Sequence, residues 1–324
     1  MRDFPRPTVF ASRCLGFAEC RWNGVTIPDA FVDSLKPYVE FVTVCPEVEI
    51  GLGVPREPIR VIEDKTGVRL FQPSTGRDVS SEMSTFASQY LESMGEVDGF
   101  ILKSRSPSCG FKDVKVYPRE GKVAAKTGKG RGFFGGAVLD RFPDKAVEDE
   151  ARLGDFTIRE FFLSKLFMLA DFRRARASGT MRDMVDFHSR NKLAIMAASQ
   201  KSLRLLGKIV ANHEKLPAAE VFVSYRDALG AALARPPRYK GNINVLMHAL
   251  GYFREELGRE EKKYFLDTLE KYRKSRIPLS VPQGVMRGFI VRFGNDYLNA
   301  QTFFEPYPEE LVTVTDSGKG RERR

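Results

Sequence analysis

Cysteine is scarce in this 324-residue chain: four are present, Cys14, Cys20, Cys45 and Cys109, and none lies beyond residue 109. No two form a Cys-x-x-Cys pair, which excludes a local metal knuckle. Histidine is scarcer still. His188, His213 and His248 lack the His-x-x-x-His or carboxylate spacing that sets two ligands on one helix face, which argues against zinc. No run approaches the length of a membrane-spanning apolar segment, and Met1-Arg2-Asp3-Phe4-Pro5-Arg6-Pro7 has no signal-like apolar core. A cytosolic chain with no membrane partner is therefore expected. In that reducing compartment cysteines serve as metal ligands or catalytic thiols more often than as disulfides. The glycine-rich residues 128–136 lack the Gly-Lys-Ser/Thr ending of a phosphate loop. They read as a turn lining the site, and no nucleotide cofactor is expected.

What is present is apolar content of 42%, enough for real cores, in a length that suggests two domains. Charge divides the chain as cysteine does. Residues 1–150 hold 21 Lys+Arg and 22 Asp+Glu, whereas residues 151–324 hold 31 and 20, so the whole net charge of +10 resides in the second half. Such asymmetry suits either a polyanion partner or a solvated basic surface.

The first half alternates strand-like and helix-like segments. Strands are expected at residues 8–12, 39–44 and 98–103, a hairpin at 60–63 and 68–71, and helices at 29–35 and from Asp78 to about Met94. The acidic run Glu148-Asp149-Glu150 marks a boundary. Beyond it come long helical segments at 156–176, 181–212, 218–234, 241–257, 260–275 and 282–293. The expected fold is an α/β N-terminal domain (1–150) followed by an all-α C-terminal domain (151–315), with a polar, disordered tail at 316–324.

Three cysteines sit in short turned segments after apolar strand-like runs: Ser12-Arg13-Cys14-Leu15-Gly16, Val44-Cys45-Pro46-Glu47 and Ser106-Pro107-Ser108-Cys109-Gly110. Separated by 31 and 64 residues, they meet only if the fold gathers three strand ends at a sheet edge. Three thiolates would fall one short of saturating a four-iron cluster and leave one iron open to substrate. A free cysteine is also often a small buried hydrophobe. Cys20 reads first as such a packing residue, with a fourth-ligand or sulfur-handling role left open.

These segments, with Gly51-Leu52-Gly53-Val54-Pro55-Arg56 after Cys45 and Lys103-Ser104-Arg105 before Ser106, resemble the thiouracil desulfidase family over residues 7–141. Phe187-His188-Ser189-Arg190-Asn191-Lys192-Leu193, Asn244-Val245-Leu246-Met247-His248 and Phe304-Glu305-Pro306-Tyr307-Pro308 resemble the companion domain fused to it in bacterial tRNA 4-thiouridine desulfidases. The resemblance implies a 4Fe-4S cluster held by Cys14, Cys45 and Cys109, whose open iron takes the thiocarbonyl sulfur of 4-thiouridine in tRNA. Water then replaces sulfur without a change of oxidation state, and sulfide is released. It also implies Glu47 as general base and Ser106 as the group that orients water or donates to the pyrimidine; the plain alternatives are a helical cap and a turn residue. Asn23, Arg56, Lys103 and Ser108 are the candidate substrate-binding residues, and Arg105 and Lys112 flank the same place.

In the helical half, cations recur beside aromatics at Tyr225-Arg226, Arg238-Tyr239-Lys240 and Tyr272-Arg273-Lys274-Ser275-Arg276. Cations attract phosphates whatever the sequence, and an exposed ring stacks on an unpaired base. Taken with the resemblance, this pattern makes thiolated tRNA the expected partner. Two other readings stay open: a desulfidase for free thiouracil or thionucleosides, and a non-catalytic iron-sulfur sensor that binds RNA.

Overall fold

The computed structural model describes residues 2–65, 67–121, 123–126 and 129–312. Thr66 of the expected hairpin turn, Gly128 at the head of the glycine-rich stretch and the tail at 316–324 lie outside the described residues. An α/β region comes first and a region of helices follows, as expected. Contacts divide the chain into two compact units, one of Pro5–Ala170 with the segment from Glu310, the other of Asp171–Glu309 with the residues up to Phe4.

The first unit contains a four-stranded parallel sheet in the order β2-β1-β6-β9. Its strands are β1 (Thr8–Ser12), β2 (Glu40–Val44), β6 (Gly99–Leu102) and β9 (Ala146–Asp149). Strands covered on both faces read as unbroken apolar runs, and Val9, Phe10, Ala11, Phe100, Ile101 and Leu102 are all fully buried. Helix α1 (Ala30–Leu35) begins where Asp29 accepts a hydrogen bond from the Val32 amide at 2.9 Å. Helix α2 (Pro46–Glu49) follows β2 directly, with proline in its first turn. A second sheet, β5-β4-β3-β7-β8, contains the expected antiparallel hairpin β3 (Arg60–Asp64) and β4 (Gly67–Gln72). It is completed by β5 (Arg77–Asp78), β7 (Val114–Tyr117) and β8 (Lys129–Gly130).

Helices α3 (Ser80–Ser93) and α4 (Phe133–Arg141) close this unit's main core. Met83, Ala87 and Leu91 of α3 and Phe134 and Val138 of α4 join Phe10, Val44 and Phe100 of the first sheet and Val61, Leu70 and Val116 of the second. The Phe10 ring lies 5.4 Å from that of Phe134 and 5.6 Å from that of Phe100. Burial of such a ring contributes about 2–3 kcal/mol.

One expectation changes here. Residues 133–136 open α4 rather than forming a turn, because Phe134 is drawn into the core and fixes the segment as helix. Glu148 and Asp149 of the acidic run belong to β9, where buried Asp149 accepts from the Arg152 amide at 2.8 Å.

Helix α5 (Phe156–Ser178) contains the division between the units. The helical unit continues with α6 (Met181–Ala198), α7 (Gln200–Ala211), α8 (Ala218–Ala232) and α9 (Tyr239–Gly251). It ends with α10 (Arg259–Arg273), α11 (Ser280–Phe293) and α12 (Asp296–Asn299). The single segment expected at 181–212 is two helices, since Ser199 takes an extended backbone and caps α7 by accepting from the Ser202 amide at 3.1 Å. Phe172, Phe187, Phe222 and Tyr225 form the aromatic centre, and Tyr225 Oη lies 3.0 Å from His188 Nδ1. His188 is thus a satisfied interhelical histidine. Among the described residues no helix is long and apolar enough to cross a membrane.

Candidate active site

Cys14, Cys45 and Cys109 lie in the loops that follow β1, β2 and β6. Since β1 pairs in parallel with both β2 and β6, these are the C-terminal ends of three neighbouring strands, the edge at which open α/β sheets bind ligands. The backbone holds the loops together. The Arg13 amide donates to Val44 O at 3.0 Å, and the Lys103 amide donates to Ser12 Oγ at 2.9 Å. Ser12 also hydrogen-bonds the Cys109 thiol.

Each thiol feels the others. Burial, reinforced by Cys45, pushes the Cys14 thiol up to about 12, and burial with the neighbouring Cys14 raises Cys109 too. Cys45 is instead drawn down to about 7, chiefly by a hydrogen bond from the Cys20 thiol. Cys20 is buried, as a packing residue should be, yet it sits against a proposed ligand. Its carbonyl also accepts from Arg56 Nη1 at 3.0 Å.

Glu47, two residues past Cys45, accepts from both sides. Ser108 Oγ donates to Oε1 at 2.6 Å, while Arg56 Nη2 and Nε lie 2.7 and 2.8 Å from Oε2. Ser106 Oγ is 3.0 Å from Ser108 Oγ and accepts from the Cys109 amide at 3.1 Å. Because Ser108 gives its proton to Glu47, the proton between the two serines comes from Ser106. The result is a directed chain from Ser106 through Ser108 to Glu47, built on the Cys109 loop and ending on the Cys45 turn.

Glycines let α4 approach that loop. A Cβ on Gly132 would stand 2.5 Å from Ser108 O, and one on Gly135 would stand 2.3 Å from Cys109 O. Arg105, in the same loop, adopts a left-handed backbone with φ of 58°.

Four candidates, Glu47, Ser106, Arg56 and Ser108, therefore form one network. Lys103 stands outside that network but beside Cys14, paired with Glu150, whose other oxygen accepts from the Ser104 amide at 2.8 Å. Asn23 is exposed in the turn closed by the Gly24 amide and Arg21 O, and among the described residues no hydrogen bond ties its side chain to the network. Ser12 and Glu150 enter the site unforeseen, since nothing local in the sequence marked them, whereas Cys20, whose role was left open, was detectable through its closeness to Cys14.

Among the described residues no group of three His, Cys, Asp or Glu side chains is placed to hold a single metal ion. A four-iron cluster asks for something else, since each thiolate binds a different iron and the ligands stand farther apart. Three soft sulfurs at one sheet edge, those of Cys45 and Cys109 buried and that of Cys14 half-buried, fit that group. Burial disfavours the Cys14 and Cys109 thiolates, and coordination would reverse this because a bound cation deprotonates its thiol ligands.

Fold and loops define a parallel α/β unit with three cysteines at one sheet edge, followed by a helical unit. A family model described as 2-thiouracil desulfurase matches residues 9–150, and one described as a protein of unknown function, DUF1722, matches residues 192–308. The chain is 30% identical to the uncharacterized protein YbgA of Escherichia coli strain K12 over 158 residues, 48% of this chain and 93% of YbgA. It is 34% identical to the uncharacterized protein YbbK of Bacillus subtilis strain 168 over 109 residues, 32% of this chain and 72% of YbbK. A solved structure, the 4Fe-4S-dependent thiouracil desulfidase TudS, aligns with a TM-score of 0.34 at 26% identity, covering 46% of this chain and 93% of that one. The chain belongs to the 2-thiouracil desulfurase family and carries a DUF1722 region as companion.

Proposed function

We propose that the protein is a cytosolic iron-sulfur desulfidase that converts 4-thiouridine in tRNA to uridine. Oxygen from one water replaces the sulfur, which leaves as hydrogen sulfide, and no electrons are gained or lost. The observation that carries this reading is the meeting of three cysteine loops beside a single Ser106–Ser108–Glu47 chain.

A 4Fe-4S cluster held by Cys14, Cys45 and Cys109 would supply a soft Lewis acid matched to a thiocarbonyl sulfur. The protein does the rest. Glu47 takes a proton from the attacking water through Oε1, which has a second lone pair beyond the one engaged by Ser108. Arg56 holds the carboxylate in place through Oε2 and is itself tied to Cys20 O and Gly53 O. Once Glu47 is protonated, the Ser108 and Ser106 hydroxyls turn over to accept and pass the proton outward along the same oxygens, 2.6 and 3.0 Å apart.

The positive excess of residues 151–324 and the exposed ring of Tyr239 support tRNA as the carrier of the thiolated base, whereas Tyr225 is buried in the aromatic centre and is not free to stack. The family's description, 2-thiouracil desulfurase, favours free thiopyrimidines as a second reading. Both are tested by following sulfide release and 4-thiouridine loss from thiolated tRNA, using anaerobically reconstituted protein beside Cys14→Ala, Cys45→Ala and Cys109→Ala. Loss of 4-thiouridine with equal sulfide, abolished in each variant, is the expected result. A correctly metallated protein that leaves tRNA unchanged but desulfurates free thiouracil would overturn the tRNA assignment.

A further inference from the structure

A cavity of about 550 Å³ opens in the helical unit where the end of α6 meets the opening turns of α7 and α9. Local sequence builds it. Gly241 in the first turn of α9 lies so close to α6 that a Cβ there would stand 2.0 Å from Ala197 O. Ser199 breaks α6 from α7 and caps the latter. Pro236-Pro237, which cannot continue a helix, carries the chain from α8 to α9 and leaves a cation on either side.

The lining is one-sided in charge. It includes Arg235, Arg238 and Lys240 together with Ser199, Ser202 and Asn244, and no Asp or Glu. All three cations are exposed, and none forms an ion pair among the described residues. This contrasts with the cations elsewhere in the unit that are paired to carboxylates, such as Arg190 with Asp171 and Arg273 with Glu270. Two helix N-termini, of 12 and 13 residues, add partial positive charge, and no side chain caps α9. Three uncompensated cations around one cavity repel each other, and an anion relieves that repulsion.

We propose that this cavity is a phosphate-binding site that takes backbone phosphates of RNA, an inference that rests on the reading of tRNA as the substrate carrier. The cavity has many times the volume of one phosphate group, so it suits a run of backbone better than a free ion. Tyr239, 44% exposed between Arg238 and Lys240, offers a face on which a base can stack. The site is separate in sequence from every cysteine-loop residue.

The test is binding of unthiolated tRNA to the full chain over a range of salt, followed by fluorescence anisotropy. Wild type is compared with Arg235→Gln/Arg238→Gln/Lys240→Gln, and thermal melting checks that these exposed substitutions leave the fold intact. Expected is a loss of at least about tenfold in low-salt affinity and a slope of log affinity against log salt shallower by about three. Equal affinity and slope in the two proteins would overturn the site and leave the tRNA reading standing. A wild type that binds no tRNA would overturn both. Inorganic pyrophosphate forms a second arm. If it binds wild type and not the variant while tRNA binds both equally, the site takes a free phosphate and the RNA assignment is wrong.

Discussion

Ser108 donates through Oγ to Glu47 Oε1 at 2.6 Å, joining the loop after β6 to the turn after β2. That contact places a carboxylate at the meeting point of the cysteine loops. Its consequence is tested by Glu47→Gln, which keeps an acceptor for Ser108 but cannot take a proton. Turnover should fall about a hundredfold or more, while iron content and the cluster's visible absorption stay as in wild type. Unchanged turnover would remove Glu47 from the role of base.

Arg56 and Glu47 form the site's buried ion pair, with side chains only 4% and 13% exposed. Removing one partner of such a pair leaves an uncompensated charge, which costs about 3–5 kcal/mol. Arg56→Ala should lower the stability of the cluster-free protein by that order in denaturant unfolding. Lysine should rescue little, because a compact ammonium cannot reproduce the planar fork in which Nε and Nη2 meet Glu47 while Nη1 reaches Cys20 O and Gly53 O. A loss below about 1 kcal/mol would show that water already screens the pair.

Strand ends were legible in the sequence because β1, β2 and β6 are apolar runs that stop at polar turns, and local pattern suffices to find such runs. The order of the strands was not. Spacings of 31 and 64 residues say nothing about which strands are neighbours, and it is the parallel pairing of β1 with both β2 and β6 that unites the cysteine loops. Strands β7 and β8 escaped for a different reason: with four and two residues, neither has enough periodicity to register. The break at Ser199 lacks both glycine and proline, so its only local signal is a serine able to cap. Lys103 looked available as a substrate contact because its partner Glu150 lies 47 positions away in the chain.

Glycines 132 and 135 show how a correct residue can be read for the wrong reason. Their value lies in the missing Cβ rather than in turn geometry, since a Cβ on Gly135 would stand 2.3 Å from Cys109 O and 2.7 Å from Gly110 C. Gly135→Ala should force α4 away from the Cys109 loop at a cost of about 1–3 kcal/mol. Reduced iron per chain after anaerobic reconstitution is the expected readout, with thermal melting to confirm a folded protein. Full iron loading would mean that the loop tolerates the displacement.

Lys165 of α5 is buried, and desolvation lowers its ammonium to about 8, opposed by Asp144 and aided by Lys145. The unfolded chain holds this proton up to its ordinary value of 10.5, so between about 8 and 10.5 the unfolded state binds more protons than the folded one. Stability attributable to this residue therefore rises with pH through that window, and below it the folded state bears the full penalty of a buried charge. Lys165→Met removes the penalty. Denaturant unfolding at neutral pH should find the variant more stable by an amount on the order of 3 kcal/mol, with the difference shrinking toward zero as the pH approaches 10.5. A difference that stays constant across the window would mean that the Lys165 ammonium reaches solvent and that methionine acts through packing alone.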